Sequence, residues 1–110
     1  MSTTALNPPS QGEPFTVTIE TVAWVNSFLG SGGASRRFEE PATPGECVRD
    51  ILVRFANRYP KLKEALWEGR EIGPHIEIII NNVILGEEYT LDSPLKEGDE
   101  IMLMGQYIGG

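Results

Sequence analysis

The sequence predicts an α+β domain, a mixed β-sheet with one main helix packed on one face. Three observations carry that reading. Phe15-Thr16-Val17-Thr18-Ile19-Glu20 alternates apolar and polar residues, the pattern of a strand with one buried face. Val48, Ile51, Leu52, Phe55, Ala56 and Tyr59 recur at helical spacing and form one apolar stripe. His75-Ile76-Glu77-Ile78-Ile79-Ile80 and Glu100 to Met104 are short apolar runs, the first rich in β-branched residues, and both have strand length.

Taken in order, Met1 to Pro14 is rich in Ser, Thr, Asn, Gln, Gly and Pro, with Leu6 its one sizeable apolar residue. Such a segment lacks the apolar surface to fold. The first strand, burying Phe15, Val17 and Ile19, follows it. Val22, Ala23, Trp24, Val25, Phe28 and Leu29 lack clean alternation and predict a short helical or irregular segment. Gly30-Ser31-Gly32-Gly33-Ala34-Ser35 reads as a loop. Arg36 to Glu40 reads as a weak second strand stopped by Pro41, which lacks the amide a sheet ladder needs.

Thr43-Pro44-Gly45-Glu46 carries the chemistry of a helix start. Thr43 is the expected N-cap, Pro44 the first helical residue and Glu46 the partner in a capping box. A helix of about four turns is expected from there to Pro60. Lys61 to Glu68 predicts a further helical turn with Leu62, Leu66 and Trp67 inward, and Glu68 to Glu71 a loop. Asn81-Asn82 turns the third strand into a short return, Val83-Ile84-Leu85. Pro94 and Gly98 mark a closing turn before the last strand. The predicted core is Val17, Ile19, Ile51, Leu52, Phe55, Ile78, Ile80, Ile101 and Leu103. The organisation expected is a disordered extension over 1–14, one domain over 15–106 and a flexible tail over 107–110.

Composition narrows the function. The 110 residues fit one domain with a modest core. A net charge of −7 without a basic run argues against nucleic acid and anionic membranes as partners. A single cysteine excludes an internal disulfide. No apolar run approaches the roughly 20 residues of a membrane span, and the N-terminus lacks signal-peptide character, so a cytoplasmic location is the default expectation.

The chain closes on Gly109-Gly110. Without Cβ atoms, two glycines thread and bend inside a narrow channel of a partner enzyme. A terminal carboxylate on such a tail can attack the α-phosphate of ATP and form an acyl-adenylate, which a nucleophile then displaces.

Ile80-Asn81-Asn82, Asp92-Ser93-Pro94-Leu95, Gly98-Asp99-Glu100-Ile101 and Gly109-Gly110, in that order, resemble the sulfur-carrier branch of the ubiquitin-like β-grasp proteins, the MoaD/ThiS family. That branch includes the small subunit of molybdopterin synthase and the thiamine sulfur carrier. The resemblance implies a β-grasp in which the last strand lies beside the first, in parallel, at the sheet's centre. It implies a carrier, not an enzyme. An E1-like adenylating enzyme would activate the carboxylate of Gly110, and a sulfur donor would convert it to a thiocarboxylate. Ile108 and Gly109 would form the rest of the tail. The sulfur would pass to a cofactor precursor of the molybdopterin type, with a large subunit of molybdopterin synthase as acceptor partner. The chain would bind no cofactor, since ATP and magnesium belong to the activating enzyme. Molybdopterin-type carriers often have prolines just before the tail, where this chain has Gly105-Gln106-Tyr107-Ile108.

Other sites are weaker. Cys47, near the helix N-terminus, is a small, nearly apolar residue before it is a thiolate. His75 stands alone, and one Cys with one His makes no closed zinc site. Glu39-Glu40 and Glu87-Glu88 read as solvated charges. If the third and last strands bury Ile78, Ile80, Ile101 and Leu103, alternation turns Ile79, Met102 and Met104 to the opposite face. Those three are the predicted partner-binding patch, with Met adapting to more than one surface, unless a loop or the segment from Trp24 to Leu29 covers them. Two rival functions share the tail or dispense with it. One is a ubiquitin-like modifier conjugated through Gly110 to target lysines; the other is a non-catalytic interaction module.

Overall fold

The computed structural model describes residues 13–29 and 35–105. The predicted N-terminal extension up to residue 12, the glycine loop 30–34 and the tail 106–110 lie outside the described residues. Among those described, the strands are β1 (Phe15–Val22), β2 (Ser35–Ala42), β3 (Trp67–Glu68), β4 (Glu71–Ile72), β5 (Ile76–Ile80), β6 (Val83–Ile84) and β7 (Glu100–Gly105). The helices are α1 (Val48–Ala56) and α2 (Pro60–Leu66), with a 3₁₀ helix over Ala23–Leu29.

Five strands form one sheet in the order β2-β1-β7-β5-β6. β7 runs parallel to β1, with Ile19 opposite Ile101, and antiparallel to β5, with Ile78 opposite Leu103. This is the arrangement the family resemblance implies. Period-two alternation sends Val17, Ile19, Ile78, Ile80, Ile101 and Leu103 to one face, where they bury against Ile51, Leu52 and Phe55 of α1. All nine predicted core residues are buried. Phe38 meets Phe55 edge-on, with ring centroids 5.1 Å apart.

The helical layer differs from the sequence expectation. Thr43 and Glu46 do pair, through Thr43 N–H to Glu46 Oε1 at 2.9 Å, but they close a turn instead of opening the helix. Gly45 has a φ of +96° there, which α-helix does not accommodate. The N-cap is Cys47, whose amide donates to Asp50 Oδ2 at 2.9 Å. α1 spans nine residues rather than about four turns. Its first amides find acceptors far along the chain: Val48 N–H donates to Ser93 O and Arg49 N–H to Leu91 O. Leu95 N–H returns a bond to Glu46 O at 2.9 Å. The Asp92-Ser93-Pro94-Leu95 segment therefore caps α1 and satisfies donors that a helix start leaves open.

Pro60 opens α2 as its first residue, a position where proline's missing amide costs nothing. α2 buries Leu62 and Leu66 fully. Trp67, expected to be inward, is half-buried in β3, and the expected loop after it is the β3–β4 hairpin. Pro41 does not stop β2. The strand runs through it to Ala42, because β2 is an edge of the sheet and an edge position tolerates a missing amide. Glu40 is not solvated. It faces inward, is 5% exposed and accepts from Arg58 Nη2 at 2.6 Å.

Candidate partner-docking face

The sheet's second face is where the predicted patch lies. Ile79, Met102 and Met104 are half-buried and stand apart from the core that faces the helices. Strand register makes them neighbours. One row across the sheet reads Ile84, Ile79, Met102, Glu20, Arg37. The next reads Glu77, Met104, Val22, Ser35. The result is an apolar strip of Ile84, Ile79, Met102, Met104 and Val22 on β6, β5, β7 and β1.

Ile84 is 45% exposed. The strip is bounded by charge: Glu77 on one side and, on the other, Glu20, which Arg37 approaches to 3.6 Å. A shallow hollow of about 20 Å³ opens between Ile79, Met102, Glu20 and Arg37. The 3₁₀ segment Ala23–Leu29 packs against both β7 and α2, and its Val25 lies in the helix-side core.

Val22 and Ile84 were missed from the sequence. Each had a signal. Continuing the alternation of β1 two residues past Glu20 puts Val22 outward. The two-residue turn at Asn81-Asn82 pairs Ile84 with Ile79.

That turn is itself held by the glycine-aspartate segment before β7. Asn81 and Asn82 have φ of 50° and 71°, the left-handed region used by tight hairpins. Asn81 Nδ2 donates to Asp99 Oδ1 and to Tyr89 Oη, each at 3.1 Å. Its Oδ1 accepts from Glu100 N–H at 2.9 Å. Gly98, at φ +84°, donates to Thr16 O, and Thr18 N–H donates to Asp99 O at 2.9 Å. The residues that carry the family resemblance thus tie β1, β5 and β7 together and aim β7 along the sheet's centre.

β7 ends at Gly105, paired with Ile76. The predicted tail residues Ile108, Gly109 and Gly110 lie outside the described residues. Cys47 is a half-buried N-cap. Among the described residues there is no group of three or more His, Cys, Asp or Glu arranged to hold a metal. No helix among them is long and apolar enough to cross a membrane.

No protein-family model and no curated protein matches this sequence. Solved structures do match over most of the chain. The solution structure of the Haloferax volcanii HVO 2177 protein superposes with a TM-score of 0.73 at 17% identity, covering 94% of this chain and 98% of that one. Small archaeal modifier protein 1 from Methanosarcina acetivorans matches with a TM-score of 0.68 at 25% identity, over 90% of this chain and 100% of its own. A Pyrococcus furiosus protein described as a "putative molybdopterin converting factor, subunit 1" matches with a TM-score of 0.60 at 23% identity, over 84% of this chain and 99% of its own. The chain has the ubiquitin-like β-grasp fold.

Proposed function

We propose that this β-grasp chain is a sulfur carrier that works through the carboxylate of Gly110 and docks on its partners with the Ile79–Met102–Met104 face. A carboxylate oxygen of Gly110 attacks the α-phosphorus of ATP in an E1-like adenylating enzyme, and pyrophosphate leaves. Sulfide delivered by a sulfur donor attacks the acyl carbon, AMP leaves with the oxygen, and a thiocarboxylate remains. The chain supplies the tail and the docking face, whereas ATP, magnesium and the catalytic side chains are the partner's. The acceptor is a cofactor precursor of the molybdopterin type, reached through a large synthase subunit in the cytoplasm.

The observation that carries this reading is the placement of β7. The strand that leads toward Gly109-Gly110 lies at the sheet's centre, and its outward residues Met102 and Met104 belong to the apolar strip. A partner that grips the strip would hold the strand that precedes Gly109-Gly110 in the sequence. Met suits a face that meets an activating enzyme and then an acceptor. The likeness to a molybdopterin converting factor subunit supports the carrier class.

A second reading, a protein modifier joined through Gly110 to lysines of other proteins, is favoured by the likeness to small archaeal modifier protein 1. Intact mass spectrometry of the protein isolated from its native cells separates the two. The carrier reading expects a terminal Gly110 and a population with one oxygen replaced by sulfur. Covalent adducts to other proteins without that exchange would establish the modifier. A protein carrying neither would leave an interaction module.

A further inference from the structure

A second surface lies on the solvent side of the helices. Arg49 and Val53 of α1, Lys63 of α2, Trp67 of β3 and Arg70 in the β3–β4 turn line an open groove of about 540 Å³. Arg49 and Val53 share one helix face by their four-residue spacing, opposite the stripe of Ile51, Leu52 and Phe55. Val53 is 40% exposed. Trp67 is half-buried, with one side packed on the core, so a rigid aromatic wall borders the groove.

The charge of this groove is opposite to that of the chain. The whole sequence has 9 basic and 16 acidic residues. The groove has three basic residues, Arg49, Lys63 and Arg70, against one acid, Glu64. Arg49 is engaged: it donates to the Arg70 carbonyl and reaches Asp92 Oδ1 at 3.4 Å, bracing α1 against the hairpin. Lys63 and Arg70 are exposed, and neither is ion-paired among the described residues.

We propose that this groove docks a short acidic segment of a partner protein. One large apolar side chain of that segment sits between Val53 and Trp67, and its flanking carboxylates meet Lys63 and Arg70. The apolar floor and cationic rim match the anatomy of protein interfaces, where Trp and Arg carry much of the energy. The volume lies within the roughly 300–1,000 Å³ of sites that take a compact group. A nucleic acid fits poorly, because a phosphate backbone leaving the groove meets an acidic surface. The surface is separate from the sheet face, so both can be occupied at once. The inference needs no reaction at Gly110 and stands or falls apart from the carrier reading.

Selection of random displayed peptides on the full chain tests it. The expected peptides carry Asp or Glu on both sides of a single Leu, Phe or Trp. Their amide shift changes, followed by NMR with the labelled chain, fall on Val53, Lys63, Trp67 and Arg70. Lys63→Glu with Arg70→Glu weakens binding by at least about tenfold, Val53→Asp does likewise, and Met104→Asp leaves it unchanged. No enrichment overturns the proposal. So do peptides without acidic bias, shifts that map to Ile79 and Met102, or binding that survives the charge reversal and Val53→Asp.

Discussion

Ile79 and Met102 stand directly opposite each other across the antiparallel β5–β7 pair, both turned away from the helices. Glu20 lies on the far side of Met102 in the next strand. An apolar pair bordered by charge is the anatomy of a docking surface with an apolar centre and a polar rim. Met104→Asp, one step along the same strip, is therefore expected to leave the melting temperature near that of the parent and to weaken binding to the activating enzyme or the acceptor subunit. Isothermal titration against either partner reads this. Unchanged affinity would remove the strip from the docking surface.

The core makes the opposite prediction. Ile78 is 2% exposed and faces Leu103 across the ladder. Ile78→Ala removes packed methyl groups and leaves a cavity, at a cost of roughly 2–5 kcal/mol. Urea denaturation measures it, and a loss below about 0.5 kcal/mol would be a surface-like response.

Gly73 sits where the chain leaves β4. Its amide donates to Leu66 O at 2.7 Å. A Cβ at this position would come within 2.8 Å of the Ala65 carbonyl oxygen. Backbone atoms on both sides leave little room to yield, so Gly73→Ala is expected to destabilise by about 1–3 kcal/mol. A neutral result in the same denaturation assay would mean that α2 and the hairpin shift freely apart.

Two carboxylates at the start of α1 predict an acid response. The Arg54 guanidinium, at 2.5 Å from Glu46 Oε2, holds the Glu46 carboxyl below its ordinary 4.5, with Thr43 N–H adding to the effect. The Cys47 amide holds Asp50 below its ordinary 3.8. Both groups bind protons less readily folded than unfolded. Their contribution is complete above those ordinary values and disappears as pH falls through the depressed ones. Glu46→Gln with Asp50→Asn should flatten the fall in stability on acidification, followed by chemical denaturation at stepped pH. An acid limb as steep as the parent's would assign the loss to other carboxylates.

For Gly110 the prediction concerns reach. One alanine added after it displaces the carboxylate by up to about 3.5 Å, and catalysis responds to misplacements of about 1 Å by about a hundredfold. The buried core of the described residues lies between Val17 and Leu103, so this variant and Gly109→Val should melt like the parent. Both should fail in ATP–pyrophosphate exchange with the cognate activating enzyme. Exchange at the parental rate would mean that the tail is not the working part.

What the sequence determined on its own is what periodicity encodes. Alternation at Phe15–Glu20 and Ile76–Ile80 and the helical stripe from Val48 to Ala56 specify which side chains lose water, because a residue's face follows from its neighbours' spacing. The outward placement of Ile79, Met102 and Met104 came with it. The tertiary structure decided what depends on partners distant in the chain. The helix begins at Cys47 instead of Thr43 because Ser93 O and Leu91 O accept its first amides. Glu40 is buried because Arg58 reaches it from beyond α1. Val22 and Ile84 complete the strip through pairing with Met104 and Ile79, and Lys63 and Arg70 meet across one groove through the packing of α2 beside α1. Local propensity sets a prior of a few tenths to one kcal/mol per residue, which a single long-range hydrogen bond or ion pair in a buried setting is strong enough to redirect.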